Sequence, residues 1–82
     1  MTLQELNTAT KVRFYEAIDA LMERGDSKRS ICLTTGIDRR NLHNYRNENR
    51  VPSSSWLSAI VIHYGVSAEW LLVGKGKMFA KQ

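Results

Sequence analysis

The twenty residues from Lys28 to Asn47, KRSICLTTGIDRRNLHNYRN, constrain the fold of this chain most, because they read as a helix, a sharp turn and a second helix. Gly36 stands where a chain leaving a helix abruptly needs the left-handed conformation, which a residue without a β-carbon adopts most easily. Asp26 and Ser27 can each cap the helix before it, which runs to about Thr35 with Ile31 as its main inward residue. After the turn, Ile37 can tuck under both helices. Asp38 can cap a further helix from about Arg39 to Arg46, in which Leu42 and Tyr45 form the inward pair.

Apolar side chains recur at helical spacing elsewhere too. From about Thr8 to Arg24 the series is Phe14, Ala17, Ile18, Leu21 and Met22, closed by Gly25. A polar connector from Asn47 to Pro52 cannot continue a helix. Ser53 then caps a helix with Leu57, Ile60, Val61 and Tyr64 inward, ended by Gly65. Ser67 caps a short last helix in which Trp70 and Leu71 close the core, with Glu69 favourably placed in the first turn. With five Gly, one Pro and few alternating runs, hairpins are not expected. The expectation is an all-α, compact five-helix bundle forming one domain over residues 1–82. Its helices fall at about 8–24, 27–35, 38–46, 53–64 and 67–72, before a tail over 73–82. Eighty-two residues can bury one modest core but cannot enclose a roomy catalytic cleft.

Charge is distributed unevenly over this pattern. The stretch from Lys28 to Arg50 holds six of the twelve Lys and Arg but two of the eight acids, so the net +4 of the chain resides there. An anionic partner is expected at that element. Cys32 is the only cysteine, which excludes an internal disulfide and leaves a metal site without a thiolate pair. The amino terminus MTLQELNTATK lacks the apolar segment of a signal peptide, and no apolar run approaches the roughly 20 residues that span a bilayer. A cytoplasmic, nucleoid-associated protein without membrane contact is expected.

The side chains of the basic helix sharpen the charge argument. Arg39, Arg40, His43 and Asn44 project opposite Leu42 and Tyr45, and are the candidates for contact with base edges. Arg matches the two acceptors of guanine in the major groove, and Asn matches the donor and acceptor pair of adenine. Lys28, Arg29, Arg46, Asn47 and Arg50 are the candidates for contact with phosphate, which positions a protein without reading sequence. The plainer reading of such a helix is a solvated face, and the plainer reading of Asp38 is a cap. Trp56 and Ile62 fall toward the flanks or outer side of their helix. With Leu72, Val73, Met78 and Phe79 they form either a partner surface or an enlarged core, and the pair Met78 and Phe79 either folds back on the domain or reaches a partner. His43, His63 and Cys32 lie on different elements, and Ser53 to Ser55 lack a paired His and acid, so no metal, no cofactor, no small-molecule substrate and no enzymatic activity are expected.

The pattern Ile31-Cys32, Gly36, Ile37, Leu42 and Tyr45 resembles the helix-turn-helix of the phage-repressor-like, or Xre-type, DNA-binding proteins. The later string Val51-Pro52-Ser53, Leu57, Ile60, Gly65-Val66-Ser67 and EWLLVGKGKMF resembles the second half of the same domain. The resemblance runs from Phe14 to Phe79. It implies a lambda-repressor-like domain that places the helix of Arg39, Arg40 and Asn44 in the major groove of double-stranded DNA, with His43 adjacent. It also implies self-association through the carboxy-terminal region, hence a homodimer. Lys28 stands where that family often has Gln, Cys32 where it has Ala, and Thr35 where it has an apolar residue. The expected function is that of a sequence-specific transcriptional regulator, a repressor of phage or mobile-element type. The alternative is an adaptor or antitoxin-like module using the same fold to bind protein through Trp56, Ile62 and the tail. RNA binding ranks third, because the basic helix offers only Tyr45 as a stacking platform, and Tyr45 is read as inward.

Overall fold

Each helix begins at a side chain that satisfies one of its free backbone donors. The computed structural model describes residues 1–80, so Lys81 and Gln82 of the predicted tail lie outside the described residues. It contains α1 (Leu3–Glu23), α2 (Lys28–Thr35), α3 (Arg39–Asn47), α4 (Ser54–Tyr64) and α5 (Ala68–Val73), and no strand among the described residues. Thr2, Ser27, Asp38, Ser53 and Ser67 accept hydrogen bonds from the amides of Glu5, Ser30, Asn41, Trp56 and Trp70. Ser27 rather than Asp26 is the α2 cap, and Asp26 pairs with Arg24 at 3.3 Å. Gly36 caps the other end of α2 at φ +79°, the left-handed conformation expected of it.

α1 starts about five residues before the apolar pattern predicts. Thr2 and Glu5 form a reciprocal capping box, each side chain bonding the other's backbone amide, and this nucleates two turns that bury nothing. Apolar periodicity could not reveal a helix segment whose residues, from Leu3 to Thr8, are all exposed.

The core is drawn from every helix. Phe14, Ile18 and Leu21 of α1, Ile31 of α2, Leu42 of α3, Ile60 of α4 and Leu71 of α5 are fully buried, together with Val66 in the α4–α5 link. α1 packs on α5, α2 on α3 and α4, and α4 on α5. The radius of gyration is 12.1 Å, close to the ~11.7 Å of a compact chain of this length. Arg13 of α1 donates from Nε to the Leu71 carbonyl at 2.8 Å, which ties α1 to the last turn of α5.

Trp56, Met78 and Phe79 are the enlarged core rather than free surface. Trp56 stacks on Phe14 with ring centroids 6.2 Å apart and lies 4.6 Å from the Tyr45 ring. The tail folds back as an isolated antiparallel bridge between Val66 and Phe79, with the Ser67 amide bonded to the Met78 carbonyl at 2.8 Å. Phe79 packs against the core and receives the Arg24 guanidinium 4.8 Å above its ring. No helix among the described residues is long and apolar enough to cross a membrane.

Candidate functional site

At about 100° per residue, Arg39, His43, Asn47, Arg40 and Asn44 occupy an arc of roughly 140° on α3, and Leu42 and Tyr45 lie on the other side. The structure matches that projection. All five polar side chains are exposed, Leu42 is buried and Tyr45 is half-buried. The three-residue link Gly36 to Asp38 keeps α3 against α2, and the buried Ile37 fills the corner. Thr35, where an apolar residue is usual in the resembling pattern, gives its hydroxyl to the Ile31 carbonyl at 2.7 Å and accepts the Ile37 amide at 3.3 Å, so its polarity is spent on the turn itself.

The six cations of this region divide into two groups. Lys28, Arg29, Arg39 and Arg40 have no carboxylate within salt-bridge distance and no side-chain hydrogen bond among the described residues. Lys28, Arg39, Arg40 and His43 line one shallow depression between the start of α2 and the outer face of α3. Asn44 has no side-chain hydrogen bond among the described residues on the same face, and Asn47 Nδ2 lies 2.9 Å from His43 Nε2, which links one ring and one amide a turn apart along the helix. Asp38, the one acid nearby, is committed to its cap on the Asn41 amide.

Arg46 and Arg50 have intramolecular partners instead. Arg46 lies on the flank of α3 toward α1, where both of its terminal nitrogens donate to the two oxygens of Asp19 at 2.7 Å, and its guanidinium sits 5.4 Å from the Tyr15 ring centroid. Arg50 stacks 4.3 Å over the Tyr45 ring and lies 3.7 Å from the Glu48 carboxylate. Both were expected to contact phosphate; each is engaged by the protein's own side chains and each remains about half exposed.

Three residues that the sequence did not single out complete this arrangement. Lys11, Tyr15 and Asp19 follow one another at intervals of four, one line along α1, beside the apolar stripe. Lys11 is buried and donates to the Asn49 carbonyl at 3.4 Å, and the Tyr15 hydroxyl donates to the Arg50 carbonyl at 3.2 Å. Asn49, in the turn that carries these two carbonyls, adopts a left-handed φ of +58°. The spacing of four was visible in the sequence, but the partners lie 27 to 38 residues away and no local pattern announces them.

Three groups are shifted from their ordinary titration by their surroundings. The paired guanidinium of Arg46 holds the Asp19 carboxyl below the ordinary aspartate value, although desolvation opposes the shift. Burial raises the Tyr15 hydroxyl, and it raises the Cys32 thiol, whose neighbours Lys28 and Arg39 pull the other way. A thiol held protonated in this manner is a packing group. Among the described residues no three His, Cys, Asp or Glu side chains gather into a metal-binding cluster.

No protein-family model, curated protein or solved structure matches this chain. The Asp19 pair yields a direct test. A carboxyl with a depressed folded-state value adds stability that is present above the unfolded value of about 4 and lost as pH falls through the lower folded one. Because both partners are nearly half exposed, the gain is at most about 1 kcal/mol. Urea denaturation between pH 2 and pH 6 should show Asp19→Asn losing less stability on acidification than the parent; parallel curves would contradict the pairing.

Proposed function

We propose that α2, the Gly36 turn and α3 form a helix-turn-helix of the phage-repressor, or Xre, type, and that the chain is a sequence-specific double-stranded DNA-binding regulator. One observation carries the reading: three cations without a carboxylate partner among the described residues, Lys28, Arg39 and Arg40, line one depression with His43 on the helix face that also exposes Asn44, and Arg29 lies beside Arg39 in the neighbouring one. A helix of this width fits the major groove, and Arg and Asn supply the bidentate donors and acceptors that distinguish guanine and adenine. Lys28 and Arg29 start α2, where side-chain charge and the first free amides act together on a phosphate. The activity is binding, and repression follows from occupying a promoter.

The same reading calls for two copies. Between Val51 and Gly74 the only Asp, Glu, Lys or Arg is Glu69, in a chain that is 24% charged. On that stretch Ile62 is 75% exposed and Leu72 48%, and both stand on an apolar groove formed with Leu57, Val61 and Leu71. A projecting residue beside a groove in one uncharged patch suits a two-fold contact, in which each copy's ridge fills the other's groove. The dimer would read two half-sites about one helical turn, roughly 34 Å, apart. An adaptor that binds another protein through this groove is the second reading, and salt-insensitive protein binding without duplex binding would favour it.

Two experiments test these assignments. Arg40→Ala should cost about 1–3 kcal/mol on a preferred duplex and relax one base position, whereas Lys28→Ala should weaken all duplexes alike and lower the salt slope by about one. Equal losses from both on unrelated DNA would rule out that division of labour. In analytical ultracentrifugation, Ile62→Glu should convert a dimer into a monomer with unchanged helicity, and a parent protein that is already monomeric at tens of micromolar would remove the dimer from the account.

A further inference from the structure

α3 is held on its inner side by the fully buried Leu42 and by the half-buried Tyr45 against Trp56, and apolar packing of this kind is non-directional, so it limits the roll of a short helix only loosely. A side-chain tip lies about 6 Å from a helix axis, so a roll of 20° moves it by about 2 Å. Hydrogen bonds to base edges tolerate only a few tenths of an ångström about 2.9 Å. The outer face of α3 therefore gains from a directional attachment, and α1 supplies one at the far end. Asp19 takes both terminal nitrogens of Arg46, Tyr15 takes the Arg50 carbonyl, and Lys11 takes the Asn49 carbonyl.

The chemistry of Asp19 argues for such a role. An exposed ion pair contributes little to stability, and a carboxylate beside an anion-binding face neutralises a cation that a phosphate would otherwise attract. What a planar two-bond pair provides that a looser one does not is direction. We infer that Asp19 is a positioning residue which, through Arg46 and with Tyr15 and Lys11 beside it, sets the roll of α3 and so determines which base edges Arg40 and Asn44 reach. The inference rests on the DNA-binding reading and adds that this surface gives up non-specific attraction in exchange for selectivity.

The test uses the full chain. The parent protein first selects a preferred duplex from a randomised library, and its affinity for that duplex and for a scrambled one of equal length is then compared with those of Asp19→Ala and Tyr15→Phe. Asp19 is half exposed and Tyr15→Phe keeps the ring, so both variants should fold, which far-ultraviolet circular dichroism checks. In Asp19→Ala the ratio of preferred to scrambled affinity should fall about tenfold, the size of one mismatched base pair. Binding to the scrambled duplex should hold or tighten, with a steeper salt dependence as Arg46 is released. Tyr15→Phe should lower the ratio without that tightening. An unchanged ratio, or equal weakening on both duplexes, would overturn the positioning role while leaving the DNA reading intact. A parent protein that enriches no duplex would remove both.

Discussion

Five polar side chains on α3 are presented by a backbone that buries only Leu42, so their arrangement depends on what holds the helix at its two ends. At the start, Asp38 caps the first turn and the buried Ile37 seats the link from α2. At the finish, Tyr45 lies half-buried against Trp56, which in turn stacks on the fully buried Phe14 of α1. Aromatic contacts of this kind contribute about 0.5–1.5 kcal/mol beyond the area they bury, enough to favour one seating of a short helix over others. The chain of rings Tyr15, Phe14, Trp56 and Tyr45 thus links the interior of the domain to the end of α3, and Arg50 closes it at the surface.

Much of this was legible in the sequence because it is local chemistry. Ser27, Asp38, Ser53 and Ser67 each precede a helix and each is its cap, and Gly36 and Gly65 end helices in the left-handed conformation. The main apolar inward residues of the helices were readable from spacing, though not the buried Lys11 and Tyr15 of α1, as were the exposed polar face of α3 and the basic start of α2. A capping box signals a helix start by itself, so Thr2 and Glu5 offered a cue to the early start of α1 that apolar spacing did not carry.

The rest was not legible, because it depends on which distant residues meet. Arg46 looked like any other cation of the basic helix, and only the packing of α1 shows that Asp19 holds it. Trp56 is a similar case. Helical projection puts it at the edge of the inward stripe of α4, and whether an edge residue is surface or core depends on a neighbour; here Phe14 and Tyr45 supply one. Met78 and Phe79 are drawn inward because the bridge at Val66 brings the tail over the core. Removing these three leaves Ile62 and Leu72 as the apolar groups exposed beside the α4–α5 groove, a smaller and better-defined surface than the sequence outlined.

If recognition lies on the α2–α3 face and self-association on the α4–α5 face, as proposed, the most direct test follows amide resonances of nitrogen-15-labelled protein during titration with a short mixed-sequence duplex. Shifts should concentrate in Ser27 to Ser30 and in Arg39 to Asn47 and fade as salt is raised, with Ile62 and Leu72 little changed. Shifts centred on α4 and α5, or none at low salt, would contradict the proposal.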